Sequence, residues 1–195
     1  MRKVRRTSLG HCQFVNHTSL PTALYKKWIT KSCQLWSQPL EIPADWTKKS
    51  LGKFIFHNRV GSWGTSGHAK LFCREVVCSI STEFQTSTSE KPMRIDHLRE
   101  IAYVICHEIG HMAVAHKERY LSGVCDAFLY PPREGTIAWK KFPRSRRNGQ
   151  GWGGDEEYIT RIGWKLTDIF APKTSVMDDY LLFTKKAECQ NSNPS

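Results

Sequence analysis

Val104-Ile105-Cys106-His107-Glu108-Ile109-Gly110-His111 decides how the rest of this 195-residue chain is read. It holds two histidines four positions apart, with a glutamate beside the first. On an α-helix, positions i and i+4 lie one above the other on a single face. Two neutral imidazoles placed so can grip one zinc ion at about 2.0–2.1 Å. Glu108 sits one position on, roughly 100° round the helix. That offset keeps it out of the ligand set but within reach of a water on the metal. Hydrolysis needs this division of labour: two imidazoles hold the ion, and a carboxylate takes the proton of the attacking water.

The flanks support a helix. Ile95, Leu98, Ala102, Ile105, Ile109 and Met112 recur at steps of three and four, an apolar stripe that Pro92 or Asp96 could begin. His107 and His111 fall on a different face. One side of the helix can therefore pack on a core while the other carries metal. Without the metal the match is a coincidence of a short pattern, each histidine satisfied by ordinary hydrogen bonds.

A catalytic zinc takes three protein ligands and keeps one position open. His116 is the last histidine of the chain, five residues beyond His111. It lies about 140° away on a continuous helix, so it joins the pair only if the helix breaks at once. The metzincin pattern needs glycine three and histidine six positions after the second histidine. Those positions hold Val114 and Lys117, which excludes it. A carboxylate from a second helix remains, with Glu156 and Glu157 as candidates. Both also suit the positive end of a helix dipole with no metal at all.

His107-Glu108-Ile109-Gly110-His111 resembles the active-site helix of zincin metallopeptidases, and its His-Glu-x-Gly-His form is similar to that of the ImmA/IrrE-like and HtpX-like groups. A weaker likeness lies in Asp155-Glu156-Glu157-Tyr158-Ile159-Thr160, which resembles the Glu-x-x-Ala-Asp helix of HtpX-like sites. The resemblance implies Glu156 as third ligand, with Thr160 where an aspartate would support a metal-bound histidine. It implies an α+β, zincin-like fold, with a small β-sheet packed on the active-site helix and a second helix supplying the third ligand. It further implies a Zn²⁺-dependent metalloendopeptidase acting on protein or peptide substrates, with Glu108 as general base. SprT-like proteases, which act on proteins crosslinked to DNA, are a second relative. They usually take a third histidine well downstream, and this chain has none. Two other classes stay open: a nucleic-acid-binding regulator with a structural zinc, and a zinc-binding module without turnover. Structural sites are usually closed by four protein ligands, so His116 or Cys125 completing four would favour them.

Length and composition allow one domain with a real core, at 39% hydrophobic and 11% aromatic residues. No apolar run approaches the ~20 residues of a membrane span. The basic start Met1-Arg2-Lys3-Val4-Arg5-Arg6 is followed by no apolar signal core, so a cytoplasmic setting is the expectation. The seven cysteines, an odd number without a Cys-x-x-Cys pair, argue against a disulfide scaffold and a zinc ribbon. The net charge of +11 attracts polyanions, or serves solubility alone.

Residues 1–20 read as a basic arm, 21–185 as the metallopeptidase domain and 186–195 as a polar tail. His11, Cys12 and His17 match no zinc spacing and read as surface residues. Leu20 to about Trp36 reads as a helix, Trp36–Ser50 as a proline-marked connector, and Phe54-Ile55-Phe56 as a strand. Gly61–Gly67 reads as a glycine-rich turn, not a phosphate loop, since no Gly-Lys-Ser/Thr follows. Leu71–Phe84 reads as one or two strands, with Cys78, Ile80, Thr82 and Phe84 on one face. By the zincin resemblance, Val76–Phe84 is the edge that pairs with extended substrate. Between Pro131 and Gly154, Lys140, Lys141, Arg144, Arg146 and Arg147 alternate with Trp139, Phe142 and Trp152. That mixture suits a nucleic-acid strand or an acidic peptide, and equally a solvated loop. Asp155–Phe170 reads as a helix with Asp155 as N-cap, and Val176–Phe183 as a last short one. Tyr158, Tyr130 and Arg133 have the chemistry of an oxyanion donor.

Overall fold

A computed structural model describes residues 9–60, 64–71, 73–85, 93–121 and 156–191. In chain order the elements are β1 (Gln13–Asn16), α1 (Thr22–Leu40), α2 (Thr47–Ser50), β2 (Lys53–Arg59), β3 (Thr65–Lys70), β4 (Glu75–Ser81), a 3₁₀ turn (Thr82–Phe84), α3 (Ile95–Leu121), α4 (Glu156–Phe170) and α5 (Val176–Asn191). This is a mixed α+β architecture. The strands form one sheet in the order β1-β2-β4-β3. β1, β2 and β4 run parallel, and β3 pairs antiparallel with β4.

β1 begins the sheet inside the stretch that the sequence presents as a loose arm. Four residues are too few to show a period, and pairing creates the strand. Phe14 stacks on Phe54 of β2 with centroids 5.3 Å apart. Parallel neighbours need a long crossover, and α1 supplies it. Its buried residues Leu24, Tyr25, Trp28, Ile29, Ser32, Cys33, Trp36 and Leu40 follow the helical repeat into the core. Tyr25 stacks on Phe56 at 4.0 Å. The helix continues past Trp36 through Pro39, so the expected connector is shorter. Glu41 ends it in a left-handed conformation (φ 53°), its N–H reaching Gln38 while Ile42 reaches Ser37. This is the hydrogen-bond pattern usually closed by glycine.

The strand expected at the sheet edge is internal. β4 lies between β2 and β3, with Val76, Cys78 and Ile80 buried. It ends at Ser81, so Thr82 and Phe84 leave its face for the 3₁₀ turn. The edge on that side is β3, which arises from the stretch read as a turn. Small residues hid it: Thr65, Gly67 and Ala69 give no hydrophobic alternation, yet they are the half-buried positions.

α3 carries the predicted stripe. Leu98, Ala102, Ile105, Ile109 and Met112 are buried, and Ile95 is exposed. α4 is tied to it by the Arg99–Asp168 ion pair, and α5 to α1 by Lys27–Asp179. α5 extends through Asn191, beyond the expected short helix and into the expected tail. No helix among the described residues is long and apolar enough to cross a membrane. Cys12, Cys33, Cys73, Cys78, Cys106 and Cys189 are free thiols. Lys140, Lys141, Arg144, Arg146, Arg147, Cys125, Tyr130, Arg133, Pro92 and Asp155 lie outside the described residues.

Candidate metal centre

His107 and His111 project from one face of α3, one turn apart. Their Nε2 atoms are 3.2 Å from each other, and the rings meet edge-on with centroids 4.9 Å apart. α4 brings the third group. Glu156 Oε1 lies 3.1 Å from His107 Nε2, and Oε2 lies 3.1 Å from His111 Nε2. Glu156 opens α4, so its carboxylate also faces the positive end of that helix. His107, His111 and Glu156 thus form a group able to hold a metal ion. With both imidazoles protonated at Nδ1, as metal ligation through Nε2 requires, two Nε2 lone pairs and a carboxylate would face one point, where a cation fits. The separations also approach the edge of about 3.3 Å that a tetrahedron with bonds of about 2.0–2.1 Å requires.

Close helix packing makes this meeting feasible. A Cβ on Gly110 would lie 2.6 Å from Trp36 Cζ2 and 2.8 Å from Ile159 Cγ2. α1 and α4 therefore press on α3 at the one residue without a side chain. Trp36 Nε1 donates to the Cys106 carbonyl at 2.8 Å, fixing the contact. Ile159, three residues after Glu156, carries the same packing to the ligand helix.

Glu108 is buried and turned towards β3. A Cβ on Gly67 would lie 2.6 Å from its Cγ and 2.8 Å from its Oε1. Burial raises the Glu108 carboxyl above its usual value. The charges of His111 and His107 and the Ala69 N–H oppose the rise, and Glu156 adds to it. For Glu156, burial also pushes upwards. Hydrogen bonds and charge from His107 and His111 outweigh it and hold the carboxyl well below the usual range. The two acids, one beside the cluster and one within it, are driven apart.

Comparison of the chain with protein-family models, with curated proteins and with solved structures finds no match.

His116, the rival third ligand, is elsewhere. It is buried, with Nδ1 2.7 Å from Ser50 Oγ and its ring against Trp46. The helix runs unbroken from His111 to His116, so the rotation of about 140° takes it away. Cys106, next to His107, is no ligand either. Burial pushes its thiol up to about 11, with the neighbouring side chains of Ser32, Trp36 and Thr167 opposing the rise. Tyr158 packs on Trp36, with ring centroids 6.2 Å apart, and is buried there. The Glu157 side chain lies outside the described residues.

Sequence reading missed Tyr103. Its hydroxyl is 3.3 Å from His107 Nδ1. The signal was available, since Tyr103 precedes His107 by four residues on the same helical face. Thr160, aligned with a histidine-supporting aspartate, instead donates from Oγ1 to Glu156 Oε1 at 3.5 Å.

Proposed function

We propose that the chain is a zinc-dependent metallopeptidase of the zincin type, with His107, His111 and Glu156 holding the ion and Glu108 as general base. The observation that carries this reading is the convergence of both Nε2 atoms and both Glu156 oxygens at 3.1–3.2 Å, with the buried Glu108 carboxylate beside them. Two imidazoles and a carboxylate are the donor set of a hydrolytic zinc site, in contrast to the sulfur-rich sets of most structural sites. Bound there, zinc would lower the pKa of water and polarise the scissile carbonyl. Glu108 takes the proton of the attacking water and passes it to the leaving amine. Burial, which raises the affinity of Glu108 for protons, suits that exchange.

An extended substrate would find its backbone partner on β3, the sheet edge beside Glu108. On that edge Glu100 accepts from the Thr65 N–H at 2.8 Å. The carboxylate third ligand favours this class over the SprT-like one, which takes a histidine.

The purified chain loaded with zinc should fragment an unfolded polypeptide, read by mass spectrometry. Chelation should stop cleavage and added zinc restore it, while Glu108→Gln keeps its metal and leaves the polypeptide whole. Cleavage undiminished in Glu108→Gln, or none by the loaded wild type, would reject the reading.

A further inference from the structure

Trp164 of α4 lies flat on the ring of Tyr103 of α3, with centroids 3.9 Å apart and planes within 6°. The Tyr103 hydroxyl is 3.3 Å from His107 Nδ1, and the centroids of these two rings are 5.6 Å apart. Tyr103 precedes His107 by four residues, so both stand on one face of α3. α4 passes close to the pair. A Cβ on Gly163 would lie 3.5 Å from Tyr103 Cε2 and 3.9 Å from the His107 Cα. The phenol is thus set between α3, which carries it, and two successive residues of α4.

His107 turns Nε2 to the cluster, where it lies 3.1 Å from Glu156 Oε1. Ligation through Nε2 leaves the ring proton on Nδ1, which then donates. Tyr103 Oη is placed to accept it. A phenol on a helix can still swing about its side-chain torsions. The Trp164 stack restrains that swing, because the rings keep their contact only while they stay offset and parallel. α4 therefore acts on the site twice. Glu156 reaches the cluster directly, and Trp164, about two turns on, reaches it through Tyr103.

We infer that Trp164 is a positioning residue of the metal site, clamping the Tyr103 phenol against His107 so that Nδ1–H is held and Nε2 stays aimed at the ion. The inference rests on the metal-site reading above and adds to it how one ligand is oriented. Histidine ligands usually donate their second N–H to a carboxylate, a backbone carbonyl or water. Here the acceptor is a phenol on the ligand's own helix, and the helix bearing the third ligand supplies the ring that steadies it.

The test compares wild type with Trp164→Leu, Trp164→Phe, Tyr103→Phe and the double variant of Trp164→Leu with Tyr103→Phe. Zn²⁺ affinity is read by competition with a chromophoric chelator. Exchange of the His107 Nδ1–H with water is read by NMR of the zinc-loaded protein. Trp164 is 40% exposed and Tyr103→Phe keeps the ring, so the metal-free variants should still unfold cooperatively. Tyr103→Phe should weaken zinc by about 10–100-fold, the usual effect of losing an outer partner, and speed the exchange. Trp164→Leu should do both to a smaller extent, and Trp164→Phe, which keeps a flat ring, should stay near wild type. Added to Tyr103→Phe, Trp164→Leu should weaken zinc no further, because no hydroxyl remains to be held. If wild type binds zinc and Trp164→Leu leaves affinity and exchange unchanged, the clamp is wrong and the metal site stands. A further loss in the double variant would also overturn the clamp, since Trp164 would then act by another route. A wild type that binds no zinc overturns both readings.

Discussion

Gly67 presses its bare α-carbon against Glu108: a Cβ there would fall 2.6 Å from Glu108 Cγ and 2.9 Å from Val104 Cγ1. The edge strand and α3 approach each other so closely because one of them carries no side chain at the contact. Gly67→Ala should displace the Glu108 carboxylate while leaving His107, His111 and Glu156 in place. A displacement of about 1 Å costs on the order of 100-fold in rate. Zinc stoichiometry should be unchanged. Equal activity in the variant would show that the position of Glu108 is not set by β3.

Gly110→Ala tests the other close approach. In an exposed helix, alanine stabilises by roughly 1 kcal/mol over glycine. Here the added methyl meets Trp36 and Ile159, and overpacking costs about 1–3 kcal/mol. The net sign should therefore be destabilising, a fall of about 5 °C in the thermal midpoint for a chain of this length. Zinc affinity should fall with it, because Ile159 and Glu156 share α4. A rise in the midpoint would mean that the helices can part freely.

Metal analysis separates ligand from neighbour. His107→Ala, His111→Ala and Glu156→Ala should each lose bound zinc, and Glu108→Gln should keep it. His116→Ala should also keep zinc while costing about 1–3 kcal/mol of stability, since it strips Ser50 of its buried partner. Loss of zinc from His116→Ala with retention in Glu156→Ala would reverse the assignment.

The metal-free protein should show an acid-sensitive contribution from Glu156. Its carboxyl is held well below the usual glutamate range, because hydrogen bonds and charge from His107 and His111 outweigh burial. A group depressed in this way stabilises the fold above its unfolded pKa and loses that contribution as pH falls through the lower folded value. The stability difference between wild type and Glu156→Gln should therefore narrow as pH drops below about 4.5. Denaturant unfolding at stepped pH reads it. A difference that widens on acidification would contradict the pairing with His107 and His111.

α3 and the pair it carries were legible in the sequence, because a stripe at steps of three and four and an i, i+4 histidine pair are properties of one helix. The same local logic marked Glu156 as a candidate through its place at a helix start, and it left His116 a ligand only if the helix broke after His111. β3 was not legible. Its inward residues are threonine, glycine and alanine, whose value lies in leaving room for Glu108, and room has no periodicity.

What the sequence by itself determined is therefore whatever one helix dictates: the facing of His107 and His111, the offset of Glu108, and the apolar side that turns inward. What only the tertiary structure decided is every relation between elements. It placed β4 inside the sheet and β3 at its edge, and it brought Glu156 to 3.1 Å from both histidines. It also set Tyr103 between α3 and α4. The physical reason is that periodicity reports which face of an element is buried, whereas distance between elements depends on side-chain volume at single contacts. Gly67 and Gly110 are those contacts, and nothing in their neighbours' spacing announces them.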